Sequence, residues 1–169
     1  MATFGERMVG AARLERATYE EVERDRKATG QALGVVVLSS VAAGLGLGAG
    51  LRGLIINTVA SIVLWAIWAA LVYAIGAKLL PELDTRADWG EVARTVGFAQ
   101  APGVLRVFGI VPVLGHFVSA ATDVWVLIAT VVAVRQALDY RSLPRAFGVC
   151  LIGWVLQIVV FLVLRRALV

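Results

Sequence analysis

The sequence predicts an all-α membrane protein: a bundle of five transmembrane helices with amphipathic interfacial helices at its N-terminus. Three observations lead there. The 169 residues are 60% apolar and 17% charged, with a mean hydropathy of +0.84, whereas soluble domains run roughly 45–50% apolar and about 25% charged. A single domain of this length has too little interior to hide that excess. Apolar stretches long enough to cross a hydrocarbon core about 30 Å thick recur between polar turns, and the basic residues are spread unevenly among those turns.

Residues 1–29 read as a cytoplasmic amphipathic arm. Phe4, Met8 and Ala11 or Ala12 follow helical spacing, and Thr18-Tyr19-Glu20-Glu21 reads as a capping box that opens a second short helix with Tyr19 and Val22 on one face. Six basic and six acidic residues interleave in the arm, a pattern that suits a helix lying against the membrane and equally a solvated arm. No apolar run of the signal-peptide kind occurs among these residues, so no cleavable signal is expected.

Residues 30–169 form one five-span membrane domain. The first span, about 31–50, is rich in glycine, and Gly44 and Gly48 have the spacing that lets helix backbones pack closely in a membrane. A short link leads to the second span, about 54–79, which makes the two an antiparallel hairpin. Asp88-x-x-Glu91 caps the third span, about 89–110, whose Ala101-Pro102-Gly103 predicts a kink, with Gln100 placed to satisfy freed backbone groups. A turn over Val111–His116 leads to the fourth span, about 117–138. Ser142 and Pro144 start the fifth, about 145–164.

Five spans place twelve of the sixteen basic residues on the side of the N-terminus and leave Arg52, Arg106, Arg165 and Arg166 on the other. Basic loops stay inside, so the N-terminus is expected in the cytoplasm and the C-terminus outside.

Catalytic and metal-binding classes find no support. His116 is the single histidine and Cys150 the single cysteine, which excludes sites that need two imidazoles, a CxxC motif or an internal disulfide. No nucleophile-elbow, zinc-protease or phosphate-loop motif is present. Ser119 lies one turn from both His116 and Asp123, yet three residues so close on one helix do not converge on a shared point. No basic stripe with interleaved aromatics points to nucleic acid, despite a formal charge of +4. No catalytic residue, metal ligand or cofactor is therefore expected. An ionisable group inside a membrane is costly and marks a candidate site. Asp123, two turns into the fourth span, and Arg106, near the outer end of the third, are expected at similar depth as an ion pair, with His116 and Gln100 nearby. Gln100, Gln136, Gln157 and Asn57 read as interhelical hydrogen-bond partners.

Several segments together resemble a known family: Thr18-Tyr19-Glu20-Glu21-Val22-Glu23 in the arm, Phe98-Ala99-Gln100-Ala101-Pro102-Gly103, Ile110-Val111-Pro112-Val113-Leu114-Gly115, and Trp125 followed by Ala133-Val134-Arg135-Gln136-Ala137-Leu138-Asp139-Tyr140. They resemble the prokaryotic branch of the Yip domain family over about Met8 to Leu164. The resemblance implies a five-span topology. Eukaryotic relatives associate with Rab-type GTPases through an extended N-terminal region, and here that region is about thirty residues. The resemblance to the prokaryotic branch therefore implies no GTPase partner, and it implies a location in the prokaryotic plasma (inner) membrane. The function expected is a non-enzymatic, membrane-organising or scaffold role, with the lipid bilayer and a homo-oligomer or another membrane protein as partners. The alternative is a small oligomeric transporter or channel that uses Asp123, Arg106 and the helix break at Pro102.

Overall fold

The computed structural model describes the backbone of residues 2–167 and the side chains of residues 2–159. All elements among the described residues are helical. They are α1 (Phe4–Ala12), α2 (Arg16–Arg24), α3 (Ala28–Gly46), α4 (Leu51–Tyr73) running into a π-helical turn (Ala74–Leu79), α5 (Trp89–Phe98) followed by a 3-10 segment (Ala101–Ile110), α6 (Leu114–Ala137) and α7 (Leu143–Ala167). Three stretches are long and apolar enough to cross a membrane: Ala28–Gly46, Leu51–Leu79 and Leu114–Ala137. The apolar part of α7 that is described covers Leu143–Val159. The outer end of the fifth expected span, with Arg165 and Arg166, lies outside the described side chains.

Helix ends are set where local chemistry dictates. At α5 the Asp88 carboxylate accepts from the Glu91 amide and Glu91 accepts from the Asp88 amide, both at 2.8 Å, a reciprocal cap that satisfies two otherwise orphaned donors. The same arrangement of Thr3 with Glu6 opens α1. The expected capping box at Thr18 is not formed. Leu14, at φ 63°, reverses the chain, so α2 starts directly at Arg16 and Thr18 sits inside it, against Gly10. A Cβ on Gly10 would lie 2.1 Å from the Thr18 hydroxyl.

The break in the third segment is deeper than a kink. α-Helical bonding stops at Phe98, and ten residues continue as 3-10 helix, a long run for that geometry. Tight packing on α3 accompanies the change. A Cβ on Gly97 would meet Ala32 at 2.8 Å, and one on Gly103 would meet the Ser39 hydroxyl at 2.0 Å. The turn before α6 closes through Leu114 N–H to Pro112 O at 2.7 Å and Gly115 N–H to Val111 O at 2.8 Å, so α6 begins three residues before the span expected at 117.

The π-helical turn at the end of α4 leaves carbonyls without their usual partners. The Tyr140 hydroxyl lies 2.9 Å from Gly76 O and 2.6 Å from Leu80 O and donates to one at a time. Arg145 stands over the same ring at 5.3 Å and donates to Leu80 O and Pro81 O.

Two clusters form the interior. One joins α4, α5, α6 and α7 through Trp68, Val72, Val96, Val134, Leu138 and Cys150; Trp68 and Trp154 stack there with centroids 5.7 Å apart. The other joins the arm to α3, α5 and α6 through Ala11, Tyr19, Val22, Ala32, Val35 and Phe98. The arm is therefore packed on the bundle.

Candidate functional site

The first region of interest is a cavity of about 470 Å³ between α3, α4, the 3-10 segment, α6 and α7, a size that suits a small-molecule or headgroup ligand. Its wall is unusually polar for the interior of apolar helices. Ser39 and Ser40 come from α3, Asn57 and Ser61 from α4, and Gln100, Thr130 and Gln157 from later elements. Asn57 and Ser61 are one helical turn apart and so share a face, a signal readable in the sequence for the α4 wall.

Arg106 and Asp123 both line this cavity. The Arg106 Nε–H donates to Asp123 Oδ1 at 2.9 Å, Nη2 lies 2.9 Å from the same oxygen, and Nη1 donates to the Ser39 hydroxyl at 3.2 Å. Gly103 makes room for this fan of bonds: a Cβ there would stand 2.7 Å from Arg106 Nη1 and collide with Ser39. Pro102 and Gly103 thus sit where the helix changes type and where Arg106 must pass. The arginine is 23% exposed and the aspartate 62%, so the pair lies at the cavity's margin. Asp123 is nine residues into α6, about 14 Å from its start.

The other expected members are placed differently. Gln100 lines the cavity but makes no side-chain hydrogen bond among the described residues; its carbonyl accepts from Gly103 N–H at 2.8 Å. His116 is exposed near the start of α6 and bonds to neither member of the pair. Asn57 Nδ2 donates to Ser40 O at 2.7 Å and so ties α4 to α3, and Gln136 donates to Glu20 at 3.4 Å. Gly44 lies where α3 meets Leu54 of α4, 2.6 Å from a built Cβ, whereas Gly48 is in the following turn at φ 67° with open space around it. At Gly48 the backbone conformation, and no helix contact, calls for glycine. Among the described residues no group of three or more histidine, cysteine, aspartate or glutamate side chains could hold a metal.

The second region is the docked arm. Arg7 is buried, 2% exposed, and donates to Glu21, Asp25 and Gln31, each at 2.8 Å. Burial opposes its charge, but the two carboxylates outweigh burial and raise its pKa; Arg7 in turn holds Glu21 and Asp25 below the usual carboxylate range. Arg94 on α5 reaches the carbonyls of Val22 and Glu23, the Tyr19 hydroxyl donates to Ala11 O at 3.0 Å, and the Trp125 indole donates to Ala12 O at 2.8 Å. Burial raises the Tyr19 hydroxyl pKa. Glu23 is pushed up to about 7, first by burial and then by the carboxylates of Asp139 and Glu91. Docking sorts the arm's charges. Arg13, Arg16, Arg24, Arg26 and Lys27 stay exposed, while Glu20, Glu21, Glu23 and Asp25 are half-buried and only Glu6 and Glu15 are exposed. No spacing argument could show this sorting, because the interleaved charges balance in the sequence.

Searches of curated proteins and of solved structures give no match. The family model of the Yip1 domain matches residues 14–164, which takes in α2, the polar cavity and every apolar stretch described above. The segments that carry the resemblance fall at its structural joints, with Phe98–Gly103 at the helix-type switch and Ile110–Gly115 at the turn into α6. The chain is an integral membrane protein of the Yip1 domain family.

Proposed function

We propose that this protein is a non-enzymatic membrane organiser: a five-span bundle in the prokaryotic plasma membrane, N-terminus inside and C-terminus outside, whose docked arm gathers anionic lipid on the inner face. The observation that carries this reading is the sorting of charge along the arm, residues 1–29. Five of its six basic residues are exposed, against two of its six acidic ones. Such a basic surface beside a membrane attracts anionic headgroups, each basic residue contributing about 1 kcal/mol near the surface. The Arg7 network fixes the orientation, so the basic face is presented without further ordering of the chain. Supporting the span count, α5 and the 3-10 segment together reach about 35 Å, from about 1.5 and 2.0 Å per residue, enough to cross the bilayer as the third span.

The test uses the protein reconstituted in vesicles that contain a fluorescent anionic lipid. The wild type is expected to cluster that lipid, seen as self-quenching, and to lose the effect in high salt. Arg13→Glu with Arg16→Glu and Arg24→Glu should abolish it. Unchanged quenching in that variant overturns the reading.

A further inference from the structure

The Arg106–Asp123 pair lines one cavity, whose wall carries neutral hydrogen-bonding groups among Trp65, Trp68, Trp154 and aliphatic side chains. A pair that merely neutralised itself inside the bundle would not need Ser61, Gln100 and Gln157 around it. The guanidinium has five N–H donors. Hydrogen bonds to Asp123 and Ser39 use two, and Nη2 makes an ion-pair contact with Asp123, so N–H groups remain available on Nη1 and Nη2. On the aspartate, Oδ1 takes both arginine contacts, and Oδ2 accepts nothing among the described residues. The site therefore offers donors from a cation on one side and a free carboxylate oxygen on the other.

We propose that the cavity binds the headgroup of an amine-bearing zwitterionic phospholipid, with the phosphate beside Arg106 and the ammonium against Asp123 Oδ2. Charge selects this class. An anionic headgroup would meet the Asp123 carboxylate, and a cation alone would meet Arg106; a ligand with both charges separated along its length satisfies both. The ammonium supplies N–H donors that a quaternary amine lacks, and Oδ2 has no other partner to lose.

The margin of the cavity supports entry from the bilayer. Asp123 is 62% exposed. Leu64 and Leu127 line the cavity and are also exposed, at 47% and 41%. Acyl chains can therefore stay on the apolar outer surface of α4 and α6 while the headgroup turns inward. The site is separate from the exposed basic residues of the arm and asks for a different lipid.

The experiment is lipid binding to the delipidated full chain in detergent, read by native mass spectrometry. Phosphatidylethanolamine, phosphatidylcholine and phosphatidylglycerol are compared with water-soluble glycerophosphoethanolamine. Phosphatidylethanolamine is expected to bind about tenfold more tightly than phosphatidylglycerol, the size of one charge-assisted contact, with phosphatidylcholine between them. Asp123→Asn should abolish the preference for the primary amine, and Arg106→Gln should weaken all three lipids. Gln157→Leu, which replaces a hydrogen-bonding group of the cavity wall by an apolar one of similar size and leaves the pair intact, should reduce phosphatidylethanolamine binding on a folded protein. The triple arm variant Arg13→Glu, Arg16→Glu, Arg24→Glu should bind phosphatidylethanolamine as the wild type does, so failure of the arm's basic surface and failure of this site are told apart. Equal affinity of the wild type for phosphatidylethanolamine and phosphatidylglycerol overturns the proposal. Equal affinity for the soluble headgroup overturns a lipid as its ligand.

Discussion

Arg106 and Asp123, seventeen residues apart on either side of the turn at Pro112, share one oxygen: Nε and Nη2 both lie 2.9 Å from Oδ1. The pair joins the 3-10 segment to α6, and Ser39 extends it to α3. Removing one partner leaves the other charge with no counter-ion at membrane depth. Arg106→Leu is expected to lower stability by about 1–3 kcal/mol, below the 3–5 kcal/mol of a fully buried pair because Asp123 faces the margin. Arg106→Leu with Asp123→Leu should recover most of the loss. Thermal unfolding in detergent measures both. A double variant less stable than either single one would contradict a mainly structural coupling.

Docking of the arm is expected to depend on pH in both directions. Glu23 has a raised pKa, about 7 against an ordinary 4.5, with burial first among the causes, Asp139, Glu91 and Glu20 adding to it and Arg24 opposing it. A raised carboxyl contributes docking stability that is complete below about 4.5 and lost as pH climbs through about 7. Glu21 and Asp25 are lowered by Arg7, so their contribution holds above the ordinary carboxylate range and is lost as pH falls through their depressed values. Protection of residues 4–24 against hydrogen exchange, taken relative to the intrinsic rate at each pH, should therefore be greatest at mildly acidic pH and lower at pH 8 than at pH 5. Glu23→Gln should remove the loss of protection between pH 5 and 8 and leave the acid limb intact. Arg7→Met should raise exchange about tenfold or more at all pH values above the acid limb, because it strands two carboxylates.

The number of spans is open to a direct labelling test. In a Cys150→Ser background, single cysteines at Arg26, Leu83 and Ser142 are expected to react from the cytoplasmic side, and those at Leu47 and Pro112 from the other. All five positions are exposed. Pro112→Cys labelling together with Leu83→Cys would make the third segment re-entrant and reduce the count to four.

Apolar length and reciprocal caps were readable in the sequence because both are local. Asp88 and Glu91 need only each other, and an apolar stretch of twenty residues needs only a bilayer. The departures all depend on distant partners. Ending α4 in a π-turn relies on Tyr140, which comes 64 residues after Gly76. Placement of Thr18 inside a helix follows from Leu14 reversing the chain and Gly10 receiving the hydroxyl. The candidate site was legible as two charges of similar depth. Its polar wall was not, because Ser39, Asn57 and Gln157 meet only when α3, α4 and α7 pack together, and each reads singly as a lone polar residue in an apolar helix.

The glycines of α3 differ in what they tolerate, and this separates packing from propensity. A Cβ on Gly46 would lie 2.0 Å from the carbonyl oxygen of Arg106, and Gly109 and Gly115 are packed against backbone in the same way, with built contacts of 3.0 Å to Gly46 O and 2.4 Å to Gly109 O. Backbone atoms in three elements cannot yield independently, so a methyl group there pushes the 3-10 segment off α3 and carries Arg106 with it. Gly44 faces only the end of the Leu54 side chain, at 2.6 Å, and that side chain can change rotamer. Gly46→Ala is therefore expected to destabilise by about 1–3 kcal/mol, in the range of overpacked interiors, and to weaken the coupling between Arg106 and Asp123 in a double-mutant cycle. Gly44→Ala should be close to neutral, since the gain in helix propensity offsets the shift of Leu54. Thermal unfolding of the two variants in the same detergent decides the matter. Equal losses would mean that the turn before α6 is not held by the contact of these three glycines.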